Sequence, residues 1–112
     1  MQAMTMGFNS EYHETVPSFD EVGCLAGSVL IEFGAPWCGH CQAASPAIKA
    51  VLSQCTEQAH IRVLDGKGKR LGRQFGVKLW PTLILLQDGK EVGRVVRCTT
   101  EQAVRDLMAL RP

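Results

Sequence analysis

Apolar positions along this chain alternate between short β-branched runs and stretches with helical spacing, the two periods that separate strands from helices. Val29, Leu30, Ile31 and Phe33 form a compact run, interrupted only by Glu32, which predicts a buried strand. Gln42 to Gln54 follow with Ala43, Ala44, Ala47, Ile48, Val51 and Leu52 at helical intervals. Pro46 falls inside that helix, where it removes a backbone donor and predicts a kink. Upstream, Ser18 and Glu21 have capping-box spacing ahead of Phe19, Val22, Leu25 and Ala26, so a first helix is expected to end near Gly27. Ile61 to Leu64 reads as a further strand and Lys69 to Phe75 as a short helix closed by Gly76. Asp88-Gly89, set between Thr82 to Gln87 and Lys90 to Val96, predicts a tight antiparallel hairpin. Thr99 and Gln102 again have capping-box spacing, before Ala103, Leu107 and Leu110 on one helical face.

Tyr12 to Val16 is expected to be a short edge strand, and residues 1–10, polar and without periodicity, a flexible leader. Residues 11–112 then form one α/β domain, a mixed sheet sandwiched between helices. The length, 112 residues, leaves no room for a second domain, and the chain is 46% hydrophobic and 21% charged. A net charge of +1 gives no field that would recruit nucleic acid or an anionic membrane. The basic run Lys67, Lys69, Arg70 and Arg73 reads as a solvated loop and helix face. Met1 to Ser10 lack the pattern of a secretory signal, and no apolar run approaches membrane-spanning length, so a cytoplasmic setting is expected.

The five cysteines do not make a disulfide framework, because the number is odd and they are scattered. Cys24 and Cys55 lie in apolar helical segments and are expected to be buried and inert. Only Cys38 and Cys41 are close, and they sit where a strand hands over to a helix. Unpaired N–H groups and the positive end of the helix dipole favour a thiolate at Cys38. Such a thiol is a better nucleophile and a better leaving group, and Cys41, one turn on, can resolve the mixed disulfide it forms. Zinc wants four ligands, and His13, His40, His60 and the other cysteines supply no second close pair, so no metal ligand is predicted.

Val29 to Cys41, reading VLIEFGAPWCGHC, resembles the active-site strand and loop of the thioredoxin family, with Cys-Gly-His-Cys in the protein disulfide isomerase form. Pro46, Phe75-Gly76-Val77, Trp80-Pro81-Thr82 and the Asp88-Gly89 hairpin follow in that family's order. The resemblance implies a thioredoxin-like fold with a central mixed five-stranded sheet and about four helices. It implies a protein-disulfide reductase that needs no cofactor beyond the Cys38-Cys41 disulfide and acts as a monomer. Its partners would be protein disulfides and a thioredoxin reductase or small thiol as electron donor.

The same resemblance makes Pro81 a cis proline facing the cysteines, with the Trp80 backbone open to an extended substrate and Trp37 a flat apolar neighbour. Glu32 takes the position of a buried acid that relays protons through water to Cys41, a role suited to a carboxyl with a raised pKa. Two departures stand out. The family's lysine near that acid is absent, with Arg62 nearby, and Arg97 occupies a loop position where a glycine is usual. Arg97 is expected to narrow substrate access and to favour the Cys38 thiolate. The resemblance also places the Cys98 loop beside Cys38, where that thiol would be partly accessible. Gly39 and His40 complete the active-site loop, and an imidazolium at His40 would stabilise the reduced, thiolate form. A competing reading is a chaperone or scaffold module binding through Trp37, Trp80 and Arg97; a third is metal or iron-sulfur binding across a dimer.

Overall fold

One sheet organises the computed structural model, which describes residues 3–112. In chain order the elements are β1 (Met4–Met6), α1 (Phe19–Gly23), β2 (Ser28–Gly34), α2 (Gly39–Leu52), β3 (Ala59–Leu64), α3 (Arg70–Gln74), β4 (Thr82–Gln87), β5 (Lys90–Val96) and α4 (Glu101–Met108). The five strands lie in the order β1-β3-β2-β4-β5, with β2 and β3 parallel and the other neighbours antiparallel. This is the mixed α/β sheet with four helices that the sequence predicts.

Strand alternation divides the core in two. Val29, Ile31 and Phe33 of β2 join Ile61, Val63 and Ile84 on the face that also takes Val22 of α1 and Leu71 of α3. Leu30 points the other way, with Leu83 and Leu85, onto Ala44, Ile48 and Leu52 of α2 and Val104 and Leu107 of α4. Each of the larger side chains here, valine, leucine, isoleucine or phenylalanine, contributes about 1.5–3 kcal/mol when removed from water, before chain entropy is set against it. Parity then dictates that Glu32 shares the α2 face with Leu30, and the β2–β3 register sets Glu32 beside Arg62 and Leu30 beside His60.

Local signals behave as expected at most boundaries. Ser18 and Glu21 form a complete capping box at α1, and Asp88 and Gly89 turn the hairpin with φ of 52° and 80°. Pro46 lies within α2 without ending it. The cap of α4 is Thr100 rather than Thr99, its side chain accepting from the Ala103 N–H.

The largest departure is at the amino end. Met4–Met6, expected within a flexible leader, pair antiparallel with β3, and Tyr12 to Val16 contribute only a single bridge, His13 to Val63. Residues 1–2 of that leader lie outside the described residues. Asn9 is buried and ties the segment down: its side-chain amide donates to the carbonyls of Ala3 and His60. A strand of three residues has no readable period, so only the open β3 edge reveals it.

Candidate active site

The turn after β2 delivers Cys38 to the N-cap of α2, where its sulfur accepts from the Cys41 N–H at 3.4 Å. Both thiols are free, Cys38 partly exposed and Cys41 buried. Burial works against ionisation of Cys38, but the Cys41 thiol, the Cys41 and His40 backbone N–H groups and the Arg97 charge outweigh it, so the Cys38 thiol lies below the ordinary cysteine range. The His40 ring itself is exposed, and it is the His40 backbone N–H that acts on the sulfur. Cys41 moves oppositely: desolvation and the Cys38 thiol beside it push it up to about 11. One spacing thus yields two thiols of opposite character, one accessible and more readily ionised, the other buried and held protonated.

Glu32 is fully buried behind this pair. Desolvation alone would raise its pKa, as expected from the sequence; instead His60 and Arg62 reverse the sign and hold it below the ordinary carboxylate value. His60 Nε2 lies 2.9 Å from one carboxylate oxygen, and Arg62 Nε donates to the other at 3.0 Å. The Asn9 N–H donates to His60 Nδ1 at 2.9 Å, which assigns the hydrogen of a neutral ring to Nε2, facing Glu32. Arg62 supplies the counter-charge where no lysine is available, and its other nitrogens donate to Ser45 Oγ and the Ser10 carbonyl. His60 was not foreseen as a site residue. The legible signal was that His60 and Arg62 are out of phase with the apolar Ala59, Ile61 and Val63.

The Trp80–Pro81 peptide bond is cis, and this corner is tied to Arg97, the residue whose charge acts on Cys38. Trp80 Nε1 donates to Asp65 Oδ2 at 2.9 Å, locking the indole. Arg97 is exposed with φ of 56°, a left-handed conformation uncommon for a side chain of its size. Its backbone N–H donates to the Pro81 carbonyl, and its Nε to the Trp80 carbonyl at 3.1 Å. The backbone acceptor expected to await a substrate strand therefore already carries one internal donor. Trp37 at 68% exposure, Leu79 and Val96 are large apolar groups left open to solvent.

Three cysteine expectations need correction. Cys24 is exposed, because the short α1 ends before it, and Cys55 is only half-buried beyond the end of α2. Cys98 is buried, and desolvation together with the Glu32 charge pushes it up to about 11, which leaves it a poor nucleophile. Among the described residues, no group of three or more His, Cys, Asp or Glu side chains is placed to hold a metal ion, and no helix is long and apolar enough to cross a membrane.

With this geometry in hand, comparison with known proteins is specific. The thioredoxin family model matches residues 9–109. A thioredoxin of Chlamydia muridarum is 39% identical over 71 residues, covering 63% of this chain and 70% of the relative. Protein disulfide-isomerase like 2-2 of Arabidopsis thaliana is 32% identical over 90 residues, 75% of this chain and 20% of that protein. The solved structure of reduced thioredoxin 2 from Pseudomonas aeruginosa PAO1 superposes with a TM-score of 0.79 at 48% identity, covering 91% of this chain and 98% of that one. A strand-to-helix dithiol on this sheet, matched over nearly its whole length, places the chain in the thioredoxin family as a thiol-disulfide oxidoreductase.

Proposed function

We propose that the protein reduces disulfides of other proteins in a reducing, cytoplasmic compartment, as a monomer, with Cys38 as nucleophile and Cys41 as resolving thiol. The observation that carries this reading is the asymmetry of the pair: Cys38 is accessible with a lowered pKa, whereas Cys41 is buried with a pKa near 11. Cys38 attacks the substrate disulfide and displaces one substrate thiolate; Cys41 then attacks Cys38 and releases the second. Glu32, oriented by His60 and Arg62, is the base that receives the Cys41 proton.

Substrate segments lie along Trp37 and the Trp80–Pro81 corner, a reading supported by the solvent-exposed apolar side chains of Trp37, Leu79 and Val96. Arg97 beside the Trp80 carbonyl favours acidic segments. The Cys38-Cys41 disulfide is the only redox group required, and a thioredoxin reductase or a small thiol restores the dithiol. The test is insulin-disulfide reduction driven by dithiothreitol and, separately, by NADPH with a thioredoxin reductase. Turnover by the wild type and none by the Cys38→Ser, Cys41→Ser protein is expected. Equal turnover by both proteins would leave only a binding module.

A further inference from the structure

Tyr12 does not extend an edge strand; its side chain turns inward over Gly34, between the cysteine pair and the buried acid. Its hydroxyl donates to Glu32 Oε2 at 3.4 Å. A Cβ placed on Gly34 would lie 2.7 Å from Cys41 Sγ and 3.2 Å from the Tyr12 hydroxyl, so the missing side chain leaves one recess that thiol and phenol share. The Arg62 guanidinium stacks 4.2 Å from the centre of the Tyr12 ring and so fixes its tilt. Glu32 Oε1 is taken by His60, while Oε2 accepts from both Arg62 and Tyr12. Tyr12 is therefore the side chain that spans the distance from Cys41 to the carboxylate.

We propose that the Tyr12 hydroxyl is the proton conduit between Cys41 and Glu32, a side-chain relay where the family resemblance implies a water; the proposal rests on the oxidoreductase reading above. In the resolving step the Cys41 S–H proton passes to the Tyr12 oxygen as the phenol proton passes to Glu32 Oε2. The Cys41 sulfur bonds to Cys38, the bond between Cys38 and the substrate sulfur breaks, and the electron pair leaves on the substrate thiolate, which takes a proton from water. Glu32 holds the relayed proton until it returns to solvent or, by the reverse path, to Cys41 on re-reduction.

A phenol in this place must pass a proton on without ionising. Burial and the Glu32 charge raise the Tyr12 pKa well above the ordinary tyrosine value, which keeps it protonated. The 3.4 Å contact is long for a hydrogen bond in the resting dithiol, as catalytic contacts often are before the reacting complex forms. The rival route is solvent, because a groove of about 930 Å³ lined by Tyr12, Cys41, Ser45 and Arg62 opens beside the thiol.

Reaction of the reduced protein with dithiobis(nitrobenzoate) separates the steps once every protein compared, the wild type included, carries Cys24→Ser and Cys55→Ser, because those two accessible thiols would react as well. Cys38 attack releases the first thionitrobenzoate and Cys41 attack the second, and stopped-flow absorbance reads both. Tyr12→Phe keeps the ring and its stacking on Arg62. It should leave the first phase within twofold and slow the second about tenfold at pH 7, with a rate that then climbs about tenfold per pH unit as Cys41 ionises to solvent. The wild-type second phase should be nearly flat from pH 6 to 8. Glu32→Gln should slow the second phase similarly, and the double variant should be no slower than the slower single one. A Tyr12→Phe second phase with the wild-type rate and pH profile would overturn the relay, as would a wild-type second phase rising tenfold per pH unit. A wild type that released only one thionitrobenzoate would refute the reading of the cysteine pair itself, and the relay with it.

Discussion

Replacing His40 by proline removes one backbone N–H that stabilises the Cys38 thiolate, and the consequence is a more reducing protein. His40 is the second residue of α2, in the first turn, where backbone donors have no intrahelical acceptor and proline is tolerated, so the helix should persist. A hydrogen bond to a charged acceptor contributes about 1.5–3 kcal/mol; for a half-exposed sulfur with long contacts, about 1–1.5 kcal/mol is the appropriate end. The Cys38 pKa should rise accordingly, toward the ordinary cysteine value. The thiolate exists only in the reduced form, so losing the contact destabilises the dithiol and lowers the reduction potential by about 30 mV. The full shift appears above both thiol pKa values and fades as pH falls below that of the wild type. Equilibration against glutathione buffers, followed by alkylation and mass measurement, gives the potential; the pH dependence of iodoacetamide alkylation gives the pKa. His40→Ala is the decisive control, since it deletes the imidazole but keeps the N–H, and it should stay within about 10 mV of wild type. An alanine variant shifted as far as the proline variant would refute the backbone origin and return the effect to the imidazole, the group suggested by sequence alone.

Cys38→Ser should abolish insulin reduction, while Cys41→Ser should still capture substrates as lasting mixed disulfides on non-reducing gels; capture by Cys38→Ser alone would reverse the roles. Arg97→Gly removes a charge that lowers the Cys38 pKa and frees the Trp80 carbonyl, so the thiol pKa should rise and KM for neutral peptide disulfides should fall; an unchanged pKa would count against the charge. Arg62→Leu leaves Glu32 buried without its counter-ion and should cost about 3–5 kcal/mol in urea unfolding. Because the folded pKa of Glu32 is depressed below 4.5, its contribution is present above that pH and lost as pH falls through the folded value, so the variant should lose part of the acid limb of the stability curve. At the alkaline end, Cys98 has a folded pKa of about 11 against 9.0 unfolded, so its contribution is complete below pH 9 and disappears as pH rises through 11; Cys98→Ala should flatten that limb in thermal melts, and an unchanged slope would contradict its burial.

What the sequence determined by itself were the features whose cause is local. The Ser18 and Glu21 cap, the Asp88-Gly89 turn and the helical spacing of Ala44, Ala47, Ile48 and Val51 each depend on residues within a turn or two of one another. The placement of Cys38 at a helix start, and hence its lowered pKa, followed from the same local order. Features joined across the sheet were not legible in this way. The sign of the Glu32 shift depends on His60 and Arg62, which come within reach only because β2 and β3 run parallel in one register and both residues fall on the α2 side of β3. The tautomer of His60 depends on an N–H from Asn9, in a segment whose strand has no hydrophobic period and forms because the β3 edge offers unpaired backbone groups. Local periodicity chooses each element, but charge states in a buried cluster are decided by partners far apart in the chain, whose desolvation and hydrogen bonding exist only once the sheet has assembled.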